Sequence, residues 1–157
     1  MTNEWIPREQ WDALVRGENC PLCDEVASKE EANEYGFTIA RLSMSVLRLA
    51  RNQYVAGYCV LICTRHVREP YELEPAERQQ YFEDMTRVGA ILEKLYKPVK
   101  MNFQILGNAV PHLHCHLIPR YYGDDAPGRP LDPGAENHLL TPEAYTLRVQ
   151  EIQSALQ

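Results

Sequence analysis

Pro111-His112-Leu113-His114-Cys115-His116-Leu117-Ile118-Pro119-Arg120 decides how this chain is read. Three of its five histidines stand here at alternate positions, with apolar Leu113, Cys115, Leu117 and Ile118 between and after them. Alternation with period two is a strand pattern, in which residues i, i+2 and i+4 face the same way. The spacing predicts a strand bracketed by Pro111 and Pro119, with His112, His114 and His116 along one solvent-facing strip. Leu113, Cys115 and Leu117 go to the other face. A helix would scatter the three imidazoles around its circumference. One histidine on a strand is ordinary, but three in strict alternation are poorly explained by packing, because polar side chains are depleted in cores. Near neutral pH imidazole can be nucleophile, base, acid or metal ligand, with a reference pKa of roughly 6.5.

Strand geometry separates these roles. Same-face neighbours lie about 6.7 Å apart and the outer pair about 13 Å apart. With Zn–N bonds of roughly 2.0–2.1 Å, one ion does not take His112 and His116 together on a straight strand. At most one or two of the three bind a metal, and the rest are left for chemistry.

Working outward, Val99 to Leu106 reads as a strand with Asn102 and Gln104 on one face. Gly107-Asn108 is a turn signal, so this strand and the histidine strand are expected to form a hairpin that brings Asn102 near the imidazoles. Pro75 to Lys97 is the clearest helix. Its stripe Tyr81, Met85, Val88, Leu92 and Leu95 should face a sheet, and Pro98 stops it. Phe37–Leu42 and Met44–Ala50 read as two strands joined near Ser43. Residues 52–57 form a turn, and Gly57–Cys63 reads as a buried third strand with Thr64-Arg65-His66-Val67 as its polar exit. A short helix over 7–16 ends at Gly17, followed by the pair Cys20-Pro21-Leu22-Cys23. Residues 24–34 read as helix or loop, closed by Gly36. Residues 121–136, rich in Gly, Pro and Asp, read as irregular. Residues 141–156 form a terminal helix capped by Thr141, with Pro142 at its first position.

The 157 residues are expected to form one domain. At 45% hydrophobic and 24% charged the chain reads as globular, and a net charge of −6 argues against a general nucleic-acid binder. No apolar run approaches the ~20 residues that span a bilayer. Met1-Thr2-Asn3-Glu4-Trp5 lacks the basic-then-apolar pattern of a secretory signal. Five cysteines outside a secretory context point to reduced thiols or a metal site in a cytoplasm.

His112-x-His114-x-His116 followed by two apolar residues resembles the signature of the histidine triad family of nucleotide hydrolases and transferases. Gly57 to Val67 resembles that family's strand ending in histidine. Asn102 and Gly107-Asn108-Ala109-Val110-Pro111 resemble its lead-in to the motif, and Pro119-Arg120-Tyr121 its exit. Cys20-x-x-Cys23 resembles the zinc pair of many bacterial members. The match runs in order over residues 20–125, outside the N-terminal helix (1–19) and the tail (126–157).

The resemblance implies an α+β fold, an antiparallel sheet of about five strands with a long helix across it, and commonly a homodimer. It implies that His114 attacks the α-phosphate of a nucleotide or dinucleotide substrate, flanked by His112 and His116. Donors to the phosphate would be His116, Asn102, Gln104 and the backbone at Gly107-Asn108. Leu49 and Asn52 would help form the base and ribose pocket. Relatives with this C-x-x-C add histidines at the positions of His66 and His112. These would close a structural Cys₂His₂ zinc site with no open position. Many relatives carry a hydroxyl residue where this chain has Ala109, which affects a leaving-group contact more than the reaction type. Two other readings stand beside the enzyme, a nucleotide-binding module with slow turnover and a hydrolase with catalytic zinc.

Overall fold

The computed structural model describes residues 4–157; residues 1–3 of the expected N-terminal segment lie outside the described residues. The chain forms α1 (Arg8–Val15), α2 (Pro21–Ala27), β1 (Gly36–Arg41), β2 (Ser45–Ala50) and β3 (Cys59–Cys63). After a 3₁₀ turn at Pro70–Glu72 come α3 (Pro75–Tyr96), β4 (Lys100–Gln104), β5 (His114–Arg120) and α4 (Pro142–Leu156). The fold is α+β, as expected, with one five-stranded antiparallel sheet in the order β1-β2-β3-β5-β4. The long connection through α3 carries β4 past β3 and leaves a slot, which β5 then fills. The histidine strand is therefore interior and hydrogen-bonded on both sides.

Period-two alternation divides the sheet into two surfaces. Leu47, Leu49, Leu61, Cys63, Cys115 and Leu117 point to one side and bury against Tyr81, Met85, Val88 and Leu92 of α3. Leu95, the last residue of the expected stripe, is only partly buried. Lys97 ends the helix in a left-handed conformation (φ +52°), ahead of Pro98. At Gly89 the ring of Phe103 lies 2.6 Å from where a Cβ would sit, so glycine permits the close approach of α3 to β4. The tail helix α4, N-capped by Thr141 Oγ1 accepting from the Ala144 N–H, adds Tyr145, Ile152 and Leu156 to the same core.

The opposite surface carries the row Thr38, Arg48, Val60, His116, Gln104, each paired with the next across the strands. Arg48 is buried and donates to Thr38 Oγ1 (2.6 Å), Asn33 Oδ1 (2.7 Å) and the Gly36 carbonyl (3.0 Å). It also pairs with Glu25 of α2 at 3.0 Å, which ties α2 to this surface. At the far end, Arg120 grips both carboxylate oxygens of Asp124 at 2.7 Å and anchors the irregular segment after β5.

Two expectations are corrected. The strand begins at His114, two residues later than the motif suggests, and runs through Pro119. Pro119 fits because it pairs with Met101 of β4, beyond the last β3 partner, Cys59 opposite Leu117. His112 lies outside the strand: its N–H donates to the Val110 carbonyl (2.8 Å), and its side chain is 1% exposed. The three imidazoles therefore do not share one strip.

Leu61 is fully buried between sheet and helix. Leu61→Ala is expected to cost about 2–5 kcal/mol, read as a lower urea midpoint at unchanged slope. A loss under about 1 kcal/mol would contradict this core packing.

Candidate functional site: a histidine pair joined to a Cys2His2 cluster

Cys20 caps the N-terminus of α2, with Cys23 one turn further on, and the Cys23 N–H donates to Cys20 Sγ at 3.5 Å. His66 leaves β3 and His112 approaches β5, so the sheet brings both rings to this helix end. His66 Nδ1 and His112 Nδ1 are 3.2 Å apart, and Cys23 Sγ lies 3.3 Å and 3.5 Å from them. Cys20 Sγ is 3.5 Å from His112 Nδ1. A tetrahedron with Zn–N near 2.05 Å and Zn–S near 2.3 Å has edges of about 3.3 Å (N–N) and about 3.6 Å (N–S). The four ligand atoms, all within 4.8 Å of one another, fit that shape.

The far sides of the rings fix the tautomers. His112 Nε2 meets the Cys63 carbonyl at 2.7 Å and His66 Nε2 meets the Val15 carbonyl at 3.0 Å. A carbonyl only accepts, so both rings carry a proton on Nε2 and turn the Nδ1 lone pair toward the cluster. Burial pushes the His112 imidazole down to about 4, which keeps it neutral, the form a ligand needs.

His114 and His116 stand half-buried on the surface away from α3, their ring centroids 4.9 Å apart and the planes at 71°. His114 Nδ1 donates to the His112 carbonyl at 2.7 Å. In the neutral ring this leaves Nε2 as a bare lone pair, and burial lowers the pKa of His114 and favours that neutral form. His116 Nδ1 lies 2.6 Å from the Tyr58 hydroxyl. Burial first, and His114 second, push the His116 ring down to about 4. His112 thus joins the two halves, with its ring in the metal-competent cluster and its carbonyl behind His114.

Other expected residues divide. Gln104 lies opposite His116, and Asn102 opposite Ile118 on the same surface. Asn102 Oδ1 accepts from Arg120 Nη1 at 2.9 Å, which settles which end of its amide is the donor. Gly107 (φ +78°) and exposed Asn108 lie in the loop leading to the motif. Leu49 does not join the site: it is fully buried in the helix-side core, because its strand parity is that of Leu47, Cys59 and Leu117. Asn52 is also elsewhere. Its amide donates to the Glu136 carbonyl (2.7 Å) and its Oδ1 accepts from the His138 N–H (2.9 Å), clamping the tail. Cys59, Cys63 and Cys115 are fully buried thiols, and His138 is exposed. Tyr58 was missed from sequence. It touches His116 only through the β3–β5 register, which no local pattern announces.

The HIT domain family model matches residues 31–123. The chain is similar to the Hit protein of Bacillus subtilis, 26% identical over 119 residues, 71% of this chain and 77% of that protein. It is 28% identical over 102 residues to the asymmetrical bis(5'-nucleosyl)-tetraphosphatase of Schizosaccharomyces pombe, covering 62% of this chain and only 55% of that relative. Among solved structures, a histidine triad protein from Bradyrhizobium japonicum superposes with a TM-score of 0.71 at 24% identity, over 79% of this chain and 92% of that one. With the family model matching more than half of its length, the chain belongs to the HIT domain family.

Proposed function

We propose that this protein is a nucleotide hydrolase or nucleotidyltransferase that works through a covalent nucleotidyl-His114 intermediate. The observation that carries the reading is the 2.7 Å bond from His114 Nδ1 to the His112 carbonyl, which aims a neutral Nε2 lone pair away from the backbone. That nitrogen attacks the α-phosphorus of a dinucleoside polyphosphate or nucleoside phosphoramidate. The bond to the leaving group breaks, and water or another acceptor then cleaves the P–N bond and frees the ring. His116, Asn102, Gln104 and the backbone at Gly107-Asn108 supply donors for charge on the phosphoryl oxygens. Ala109 has no hydroxyl to offer the leaving group. This bears on substrate preference more than on the reaction type.

Cys20, Cys23, His66 and His112 would hold a zinc ion whose chemistry is structural, since four protein ligands leave no open position. A homodimer fits β4, an edge strand that exposes Phe103 beside Val99 and Leu106. Among the described residues no helix is long and apolar enough to cross a membrane.

His114→Asn is expected to abolish turnover across a panel of dinucleoside polyphosphates and phosphoramidates while nucleotide binding and bound zinc persist; full activity would remove the proposal. Cys23→Ser is expected to lose zinc by elemental analysis and to lower the thermal midpoint. If zinc stays bound at one equivalent, the assigned ligand set is wrong. Burial first, and His114 second, push the half-buried ring of His116 down to about 4 in the folded protein against roughly 6.5 unfolded. The unfolded chain therefore binds more protons between these values, and stability falls as pH drops from about 6.5 toward 4. Ring NMR signals of His116 should stay those of neutral imidazole until near pH 4; titration near 6.5 would contradict this.

A further inference from the structure

Tyr58 lies outside the three-histidine motif, yet its hydroxyl makes a 2.6 Å hydrogen bond with His116 Nδ1. Its ring stacks near-parallel on the imidazole, centroids 5.9 Å apart at 24°. The backbone beneath it is pinned. The Tyr58 N–H donates to the Val55 carbonyl (3.1 Å), while its own carbonyl accepts from the Ala50 N–H (3.1 Å) and from Gln53 Nε2 (3.0 Å). The ring is buried with Val55, Ile118, Ala126 and Leu131.

The direction of the hydroxyl bond follows from what else is in reach. Had His116 Nδ1 carried the proton, the Tyr58 hydroxyl hydrogen would need another acceptor. Among the described residues its oxygen has no second partner. A buried hydroxyl hydrogen without an acceptor is unfavourable, so the phenol donates and Nδ1 accepts. Burial also holds the phenol protonated, far above its ordinary range. A neutral ring that accepts at Nδ1 carries its hydrogen on Nε2. His114, whose Nδ1 donates to a carbonyl, is the opposite tautomer. The two adjacent rings are therefore complementary: one presents a lone pair at Nε2 and the other a proton.

We propose that Tyr58 is a positioning residue that locks His116 as the Nε2–H tautomer, so that His116 can donate to an anionic phosphoryl oxygen beside the attacking His114. The catalytic half of this rests on the function proposed above; the tautomer half does not. Without the phenol, Nδ1 and Nε2 of His116 compete for one proton, and part of the population presents a lone pair toward an anionic centre.

The test uses ¹⁵N-labelled, zinc-loaded full-length protein and long-range ¹⁵N–¹H correlation of the histidine rings. In the wild type, His116 should show an unprotonated Nδ1 and a protonated Nε2, with His114 the reverse. Tyr58→Phe keeps the ring but removes the donor, and the two His116 nitrogen shifts should move toward each other while zinc content is unchanged. A wild-type His116 protonated on Nδ1, or a Tyr58→Phe spectrum identical to wild type, overturns the assignment. The wild-type spectrum alone decides this if the variant does not fold. Where nucleotide turnover is measurable, Tyr58→Phe should lower kcat by roughly tenfold with KM near the wild-type value. An unchanged kcat overturns the catalytic half. A wild type that turns over none of the panel overturns the proposed function and leaves the tautomer assignment to the spectra.

Discussion

The structure depends on what His112 does with its two ends. Its imidazole donates from Nε2 to the Cys63 carbonyl and turns Nδ1 toward Cys20, Cys23 and His66. Its carbonyl accepts from the ring of His114. A ring held at both nitrogens fixes the residue that carries it, and the carbonyl of that residue sets the tautomer of the next histidine. The N-terminal helices, far from β5 in sequence, thereby bear on the orientation of a residue in that strand. The cluster also explains the burial of His112: a polar ring enters the interior only with its nitrogens satisfied.

Topology supplies the rest of the precision. β5 lies between β3 and β4, and strands bonded on both sides cannot slip by a residue without turning their buried side chains outward. The parity that sends Cys115 and Leu117 into the core under α3 is the same parity that leaves His114 and His116 on the other surface. Packing on one side of the sheet thus holds the two imidazoles on the other. Arg48 and Arg120 do comparable work on the histidine side. Each satisfies several acceptors at once, and they tie down α2 and the segment after β5.

Electrostatics at the site are local. The chain carries a net charge of −6, which does nothing to draw in a polyphosphate. Burial instead makes the imidazoles poor bases and keeps them uncharged at neutral pH. In the proposed reaction, neutral rings in opposite tautomers would offer both a nucleophile and a donor without a fixed positive charge.

The amino-acid pattern alone was enough for the strands and the long helix, whereas the α+β class and the full set Cys20, Cys23, His66 and His112 came with the family resemblance. Period-two and helical spacing are local, and hydrophobic burial enforces them. The resemblance over residues 20–125 added the family, which the match over 31–123 bears out. What sequence could not give depends on the path of the backbone outside regular elements and on register between strands. Strict alternation placed His112 on a strip with its neighbours, but the turn at Val110 bends the chain before β5 begins and sends that ring inward. Leu49 has the composition of a pocket residue, and only its pairing with Cys59 assigns it to the core. Tyr58 meets His116 because β3 runs antiparallel beside β5 at one particular register, a contact between residues 58 positions apart. Local periodicity says which way a side chain faces, whereas tertiary structure decides what it faces.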